Sequence, residues 1–328
     1  MSTKQQLLVY LKEGKGTWVS GEFLAHKIAV SRSAVWKHIA SLKDDGYVIE
    51  SSRKKGYLFR RTSDLLLADE IREGLSTNVL GKGEISYFRE TDSTNTRAKY
   101  LANEGAPEGT VVVAEKQTQG RGRRGRTWFS PPGGGIYTSI ILRPPIPPNE
   151  APKLTLLTSV ALAEALLSLT ALKVKIKWPN DILIKGRKVA GILTEISTEM
   201  DRIGYVIIGV GVNVNTPREG LSPDIADTAT SVLMETGKVF PRIVLLRAFL
   251  EWLEIYYEAF KTKGFDPILS RWKHLADIIG RRIRVDLMDD VRTGKVLDVD
   301  KDGFLILQDR KGTIERIISG DVTLLGQE

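Results

Sequence analysis

Residues 120–139 read GRGRRGRTWFSPPGGGIYTS, with Arg121, Arg123, Arg124 and Arg126 set among Gly120, Gly122 and Gly125. Guanidinium groups bind phosphate and carboxylate oxygens bidentately and keep their charge. Glycines let a backbone approach a ligand closely. Together they fit a loop that closes over a small anionic ligand. The same composition also fits a solvated basic loop or a nucleic-acid patch.

Three further clusters bear on that choice. In ETDSTNTRAKYLA, Asp92, Ser93, Thr94 and Asn95 gather where a helix should begin. Such residues cap helices, and free helix amides with hydroxyls also hold polar ligand groups. Gln117, just ahead of the Arg/Gly loop, offers an amide that donates and accepts. In KWPNDILIKGRKVAGILTE, Lys177, Asn180, Asp181 and Lys188 lie close together. Pro179 and the Asn180-Asp181 pair are also turn chemistry. If 181–196 is a hairpin around Lys185-Gly186-Arg187, Lys188 returns towards Asp181. The third cluster, GVGVNVN at 209–215, lacks the last glycine of a dinucleotide fingerprint and is not read as one.

Several chemistries are excluded. There are no cysteines, hence no thiolate catalysis, disulfides or cysteine-bound zinc, as suits a reducing cytoplasm. His26, His38 and His274 are scattered, so no histidine metal site or catalytic triad is expected. Gly237-Lys238 is followed by Val239, so there is no P-loop. What remains is a site rich in Arg and Lys. It suits a reaction in which the substrate supplies the nucleophile and the protein stabilises charge at phosphorus.

The elements that must position these residues fall into three blocks, expected at 1–64, 65–275 and 276–328. In the first, Lys4–Lys12 is amphipathic, Ser20 caps a short helix and Ser31 starts a second with Val35, Ile39 and Leu42 at helical spacing. YVIESS, RKKG and YLFR then read as a hairpin with a basic tip. This is a winged helix-turn-helix pattern, or else a small basic protein-interaction domain. In the winged reading, Ser31, Arg32, Ser33 and Lys37 enter the major groove, and Arg53, Lys54 and Lys55 form the wing. Trp18 and Trp36 are expected in its core.

Charge supports the split. Residues 1–61 hold twelve Lys and Arg against five Asp and Glu, so most of the +8 net charge sits there. A focused basic domain points to a polyanion partner for that domain alone.

The second block mixes strands with helices at 94–104, 152–170, 241–262 and 265–274, an α+β pattern with a mixed sheet. The third holds short strands with Gly294, Gly303 and Gly312 near turns, a small β-barrel. The run Leu154–Leu172 comes closest to a membrane span, but its polar residues and flanking charges argue for a buried helix, and no membrane partner is expected.

Taken together, GRGRRGRTWFSPPGGGIYTS, KWPNDIL and KVAGIL, in this order and behind this N-terminal block, resemble the biotin–protein ligases (biotin–acetyl-CoA-carboxylase ligases). The best match is the bifunctional bacterial form, the biotin operon repressor. Lipoate ligases are similar in fold but as a family lack the Arg/Gly loop. The resemblance covers essentially the whole chain and implies a winged helix, a class II synthetase-like ligase core and an SH3-like C-terminal barrel. It implies that biotin attacks ATP to give biotinyl-5′-AMP, and that a lysine of the biotin carboxyl carrier protein then takes the biotin. It implies that Ser93, Thr94, Asn95 and Gln117 hold biotin, with Arg121, Gly122, Arg123 and Lys188 on its carboxylate and the phosphate. Trp128 would cover the adenylate, Asn213 would lie near adenine, and Lys177, Asn180 and Asp181 would line the reacting centre. Asp181 would take a proton from the incoming lysine. Magnesium would arrive with ATP, and operator DNA and a homodimer formed with biotinyl-AMP would complete the partners. Two other readings stay open: a ligand-sensing regulator with an inactive core, and a ligase whose winged domain only supports domain closure.

Overall fold

The computed structural model describes residues 2–14, 16–61, 64–199, 202–287 and 290–325 of the 328. The chain forms two compact units, Met1–Glu70 and Ile71–Glu328.

The first unit runs α1 (Thr3–Glu13), β1 (Trp18–Val19), α2 (Gly21–Lys27), α3 (Arg32–Asp44), β2 (Val48–Ser52) and β3 (Gly56–Arg61). Each helix starts on a serine: the hydroxyls of Ser2, Ser20 and Ser31 accept from the backbone amides of Gln5, Phe23 and Ala34. These bonds satisfy amides that a helix start leaves free. Leu7, Leu11, Leu24, Val35, Ile39 and Leu42 meet in the core. The hairpin β2–β3 gains β1 as a third strand, in the order β1-β3-β2. The expected winged helix-turn-helix is present. One expectation fails: Trp36 is 63% exposed, not in the core. It lies out of phase with Val35, Ile39 and Leu42, so the helix turns it outward. Trp18 is half-buried, with Lys55 Nζ 5.8 Å from its ring centre.

A short helix, α4 (Ala68–Arg72), spans the unit boundary. The second unit is built on a seven-stranded sheet made of β4 (Ile85–Phe88), β5 (Val111–Ala114), β6 (Gly135–Leu142), β7 (Val174–Lys177), β8 (Asp181–Ile184), β9 (Arg187–Glu199) and β10 (Arg202–Asn213). Its order is β4-β5-β6-β10-β9-β8-β7, parallel at β4–β5 and otherwise antiparallel. Helices α5 (Thr94–Asn103), α6 (Ala151–Leu169), α7 (Val232–Thr236), α8 (Arg242–Lys263) and α9 (Asp266–Leu275) complete the core. Helix α5 packs its Ala98 and Ala102 on Val112, Ile141 and Ile207 of the sheet. Helix α6 contacts β9 and β7 and carries α8 and α9. The segment Pro148–Leu169 is long and apolar enough to cross a membrane by composition, but 67% of its apolar window is buried in the protein.

The last strands, β11 (Arg282–Asp286), β12 (Val291–Val299), β13 (Leu305–Gln308), β14 (Ile314–Ile317) and β15 (Asp321–Leu324), form an antiparallel sheet in the order β14-β13-β12-β11-β15. This sheet belongs to the second compact unit. Trp178 Nε1 donates to Gly303 O at 2.9 Å, and Lys273 pairs with Asp298 at 2.7 Å. Such ties fix the barrel strands beside the ligand cavity described next.

Candidate active site

A cavity of about 800 Å³ opens on the sheet face that carries α5. Its size is that of a pocket for a drug-sized ligand. Ser93, Thr94, Asn95, Gln117, Arg121, Gly122, Arg123, Trp128, Lys177, Asn180, Asp181, Lys188 and Asn213 all line it. The structure thus brings these residues of the ligase core together, whereas Asp92 and Arg124, also singled out in the sequence, do not line the cavity.

The polar wall begins at α5. Ser93 sits at the N-cap position, yet its hydroxyl makes no capping bond and the residue is only 2% exposed. Gln117 does the capping from another segment: its Oε1 accepts from Thr94 N at 2.8 Å and Thr94 Oγ1 at 3.2 Å. Its Nε2 donates to Ser130 Oγ at 2.8 Å, which fixes the amide orientation. Asn95 Oδ1 accepts from Ser139 Oγ at 2.6 Å, while Asn95 Nδ2 donates to Glu195 Oε2 at 2.7 Å. Capping therefore does not explain Ser93, which lines the cavity without closing the helix.

Glycines make the floor. Gly211 pairs with Gly191 across β10–β9, and Gly209 pairs with Leu193. A Cβ at Gly209 would overlap the Asn95 amide, and one at Gly211 would overlap the Trp128 indole. A Cβ at Gly191 would come within 3.0 Å of the same indole. The GVGVNVN run is thus no phosphate loop; its alternate glycines clear one face of a strand, as period-two geometry requires.

The β8–β9 hairpin delivers the cation. Its turn is Lys185-Gly186, both at positive φ (50° and 78°), the geometry of a two-residue hairpin turn. Lys188 pairs across from Leu183, and its Nζ returns to Asp181 Oδ1 at 2.6 Å. Lys177 Nζ stands 3.7 Å from Asp181 Oδ2. Lys188 Nζ also lies 5.4 Å from the Trp128 ring centre, within cation–π reach. Asn180 is held by Ile192 on both its backbone and its Nδ2.

The Arg/Gly loop is folded as a small hairpin closed by an Arg121–Thr127 bridge, with Arg124 at φ 55°. Arg121 pairs with Glu195 at 3.1 Å. Arg123 donates to Asn180 Oδ1 at 3.3 Å and Gly320 O at 3.2 Å. Burial lowers the Arg123 pKa, and Asp321 opposes that shift. Asp321 of β15 faces Arg123, Arg124 and Arg126 at 3.8, 3.7 and 2.8 Å.

Four contributors were not legible in the sequence. Glu195 and Asp321 neutralise the loop from distant strands. Ser222, Asp224, Ile225, Thr228 and Ala229 line the cavity, tied in by Lys188 N to Thr228 O and Thr230 N to Lys188 O, each 2.8 Å. Glu235 on α7, its side chain 1% exposed, accepts from Thr230 and pairs with Lys185 and Arg187. For the last segment the available signal was the cluster of turn residues from Ser222 to Thr230; for the lone carboxylates there was none.

In the first unit, Arg32, Ser33 and Lys37 are exposed on α3, and Arg53, Lys54 and Lys55 are exposed at the β2–β3 tip. The Ser31 hydroxyl is engaged at the α3 cap and with Ser33 Oγ at 2.8 Å.

Comparison with known proteins places these features. Residues 87–213 match the biotin/lipoate A/B protein ligase family, 3–58 an HTH domain, and 278–325 the biotin protein ligase C-terminal domain. The bifunctional ligase/repressor BirA of Bacillus subtilis is 40% identical over 98% of both chains. That of Escherichia coli is 33% identical over 95% of both. A biotin protein ligase from Aquifex aeolicus, solved with biotin and ATP, superposes with a TM-score of 0.64 at 31% identity, covering 75% of this chain and all of that one. The chain belongs to the bifunctional ligase/repressor family of biotin protein ligases.

Proposed function

We propose that this protein activates biotin with ATP to biotinyl-5′-AMP, transfers biotin to a lysine of the biotin carboxyl carrier protein of acetyl-CoA carboxylase, and represses biotin-synthesis genes when the adenylate is bound. The observation that carries the reading is the single cavity in which Arg121, Arg123, Lys177 and Lys188 converge with the uncharged polar set Ser93, Thr94, Asn95 and Gln117.

In the first step a biotin carboxylate oxygen bonds to the α-phosphorus and the bond to the bridging oxygen breaks, releasing pyrophosphate. Two anions must meet, so fixed cations lower the barrier by stabilising charge that builds in the transition state. Lys188 serves the carboxylate and α-phosphate, with Arg121 and Arg123 closing over both. Ser93, Thr94, Asn95 and Gln117 take the ureido ring of biotin. Trp128 covers the adenylate, Asn213 faces the base, and Lys177 and Asn180 line the phosphates. Among the described residues no group of three acidic or histidine side chains could hold a metal. The nearby carboxylate of Asp181 is paired with lysines, so magnesium fits this site as part of Mg-ATP, neutralising phosphate charge.

In the second step the carrier lysine's neutral amine attacks the acyl carbon and AMP leaves. Asp181 takes the amine's proton once Lys188 turns to the ligand. Residues 1–64 form the DNA-binding domain, 65–275 the catalytic domain and 276–328 the C-terminal domain. Ser31, Arg32, Ser33 and Lys37 face the major groove of operator DNA, and Arg53, Lys54 and Lys55 the flanking backbone. The adenylate-bound form is a cytoplasmic homodimer that reads two half-sites.

The deciding test supplies purified protein with biotin, Mg-ATP and carrier protein, and follows biotin on the carrier lysine. Absence of labelling sinks the ligase reading. A gel shift on duplex from the chain's own biosynthetic promoter, with and without biotin and ATP, tests repression. No shift in either condition leaves a ligase alone. Unchanged sedimentation mass on adding the adenylate sinks the dimer.

A further inference from the structure

Trp36 is the largest exposed apolar side chain of the DNA-binding unit, on the helix assigned to the major groove. Successive helix residues turn by about 100°. Around α3 the outward arc then runs Arg32, Trp36, Ala40, Ser33, Lys37 over the first turns, with Ala40 half-buried, and the exposed Lys43 and Asp44 fall in the same arc at the C-terminal end. Its centre holds Trp36, Ala40 and Ser33, and its two flanks hold the cations Arg32 and Lys37. A helix in the major groove presents its centre to base edges and its flanks to the phosphate walls. Over its first turns, residues 32–40, the charge pattern of α3 matches that division. No Asn, Gln or Arg occupies the centre, so the hydrogen-bonding readers of adenine and guanine are missing there.

The wing adds to the complementarity. Arg53, Lys54 and Lys55 are exposed on the adjoining hairpin, and Lys43 of α3 is tied to that hairpin through Ser51 Oγ at 2.9 Å. Cations therefore border the apolar centre of α3 on its own flanks and on the wing. A protein partner would call for a wider apolar patch, whereas this face offers one indole within a cationic rim.

Resting on the DNA-binding reading above, we propose that Trp36 is a specificity-determining residue, which packs on the 5-methyl group of a thymine in each operator half-site. An apolar side chain against that methyl is a direct means of telling T from C. Specificity at this position comes from shape and apolar contact, with the phosphate contacts supplying register.

The test uses the full chain with biotin and Mg-ATP, and a duplex selected by the wild-type protein from a randomised pool. Each thymine fixed by selection is replaced singly by deoxyuridine, which lacks only the methyl. At one thymine per half-site the wild type should lose about 5-fold or more in affinity. Trp36→Ala should bind the all-thymine duplex about 5-fold or more weakly than wild type and show no further loss at that deoxyuridine. Its salt slope should be unchanged, whereas Lys37→Ala should lower the slope by about 1. Far-UV circular dichroism matched to wild type controls for folding, and Trp36→Phe should recover part of the affinity.

Wild-type affinity and wild-type thymine sensitivity in Trp36→Ala overturn the proposal while leaving DNA binding intact. A changed sedimentation mass in Trp36→Ala with unaltered DNA binding also overturns it and assigns the indole to a protein contact. If the wild type selects no sequence at all, the repressor reading falls and this proposal with it.

Discussion

Arg126 Nη2 lies 2.8 Å from Asp321 Oδ2, so the Arg/Gly loop is tied to the last strand of the C-terminal sheet. Arg126 is 70% exposed, and a single exposed pair contributes little, about 0–1 kcal/mol. The weight of Asp321 comes from its reach to Arg123 and Arg124 as well. One carboxylate offsets the mutual repulsion of three guanidinium groups and holds the loop folded. Asp321→Ala should leave that loop to be ordered by the ligand. Ordering then subtracts from binding, and the KM for ATP in pyrophosphate release should rise about 3- to 10-fold, as for the loss of a network worth about 1 kcal/mol. A lower KM would show instead that Asp321 competes with phosphate for the same cations.

Two of the floor glycines, Gly209 and Gly211, abut different side chains of the cavity wall, Asn95 and Trp128. Gly209→Ala would push a Cβ into Asn95, and Gly211→Ala would push one into Trp128. Neither glycine is at positive φ, so alanine meets a neighbour and no backbone strain. Gly209→Ala should raise the KM for biotin by about 10-fold or more, the effect of displacing one well-placed polar contact. Its KM for ATP should change less. Gly211→Ala should show the reverse. Initial rates with each substrate varied in turn decide it, and equal effects on both KM values would argue against two separate subsites.

Much of this arrangement was legible because its determinants are local. A two-residue turn at Lys185-Gly186 returns Lys188 to Asp181 within one hairpin, so the return followed from spacing once a hairpin around Lys185-Gly186-Arg187 was assumed. The serine caps at positions 20 and 31 and the Val35, Ile39, Leu42 phase likewise lie within single elements. Asp321 and Glu195 were not legible, since a carboxylate that meets an arginine from a distant strand leaves no mark on its own neighbours. The alternation of Gly209 and Gly211 with β-branched residues was visible, but its meaning depended on Trp128 arriving from another loop. Trp36 could have been placed: it is one residue off the buried phase of its helix.

Glu235 offers a pH test of how the segment lining the cavity is held. Burial by itself would raise its carboxyl pKa, but hydrogen bonds from Thr230, Lys185 and Arg187 bring it below the ordinary value. A depressed folded pKa means that the unfolded state binds more protons, so the stabilisation is fully present above the unfolded value. It is lost as pH falls through the lowered folded value. The Tm difference between wild type and Glu235→Gln should therefore be largest near neutrality. It should shrink once pH drops below about 4.3, the ordinary glutamate value. A difference that stays constant from pH 7 to 3 would mean that the charge of Glu235 contributes nothing.

Lys188 separates binding from chemistry. Its amine is held by Asp181 at 2.6 Å and faces the Trp128 ring, and its backbone is fixed on both sides by Thr228 and Thr230. The backbone that carries the cation is thus fixed, so only the side chain has to turn from Asp181 to the ligand before its charge can stabilise the transition state. If Lys188 merely bound the biotin carboxylate, Lys188→Ala would raise the KM for biotin and leave kcat alone. If it meets charge that develops between carboxylate and α-phosphate, kcat for adenylate formation should fall by about 10²-fold or more. Single-turnover formation of the adenylate at saturating biotin isolates that step. We expect the loss in kcat, and an unchanged single-turnover rate would reduce Lys188 to a binding group.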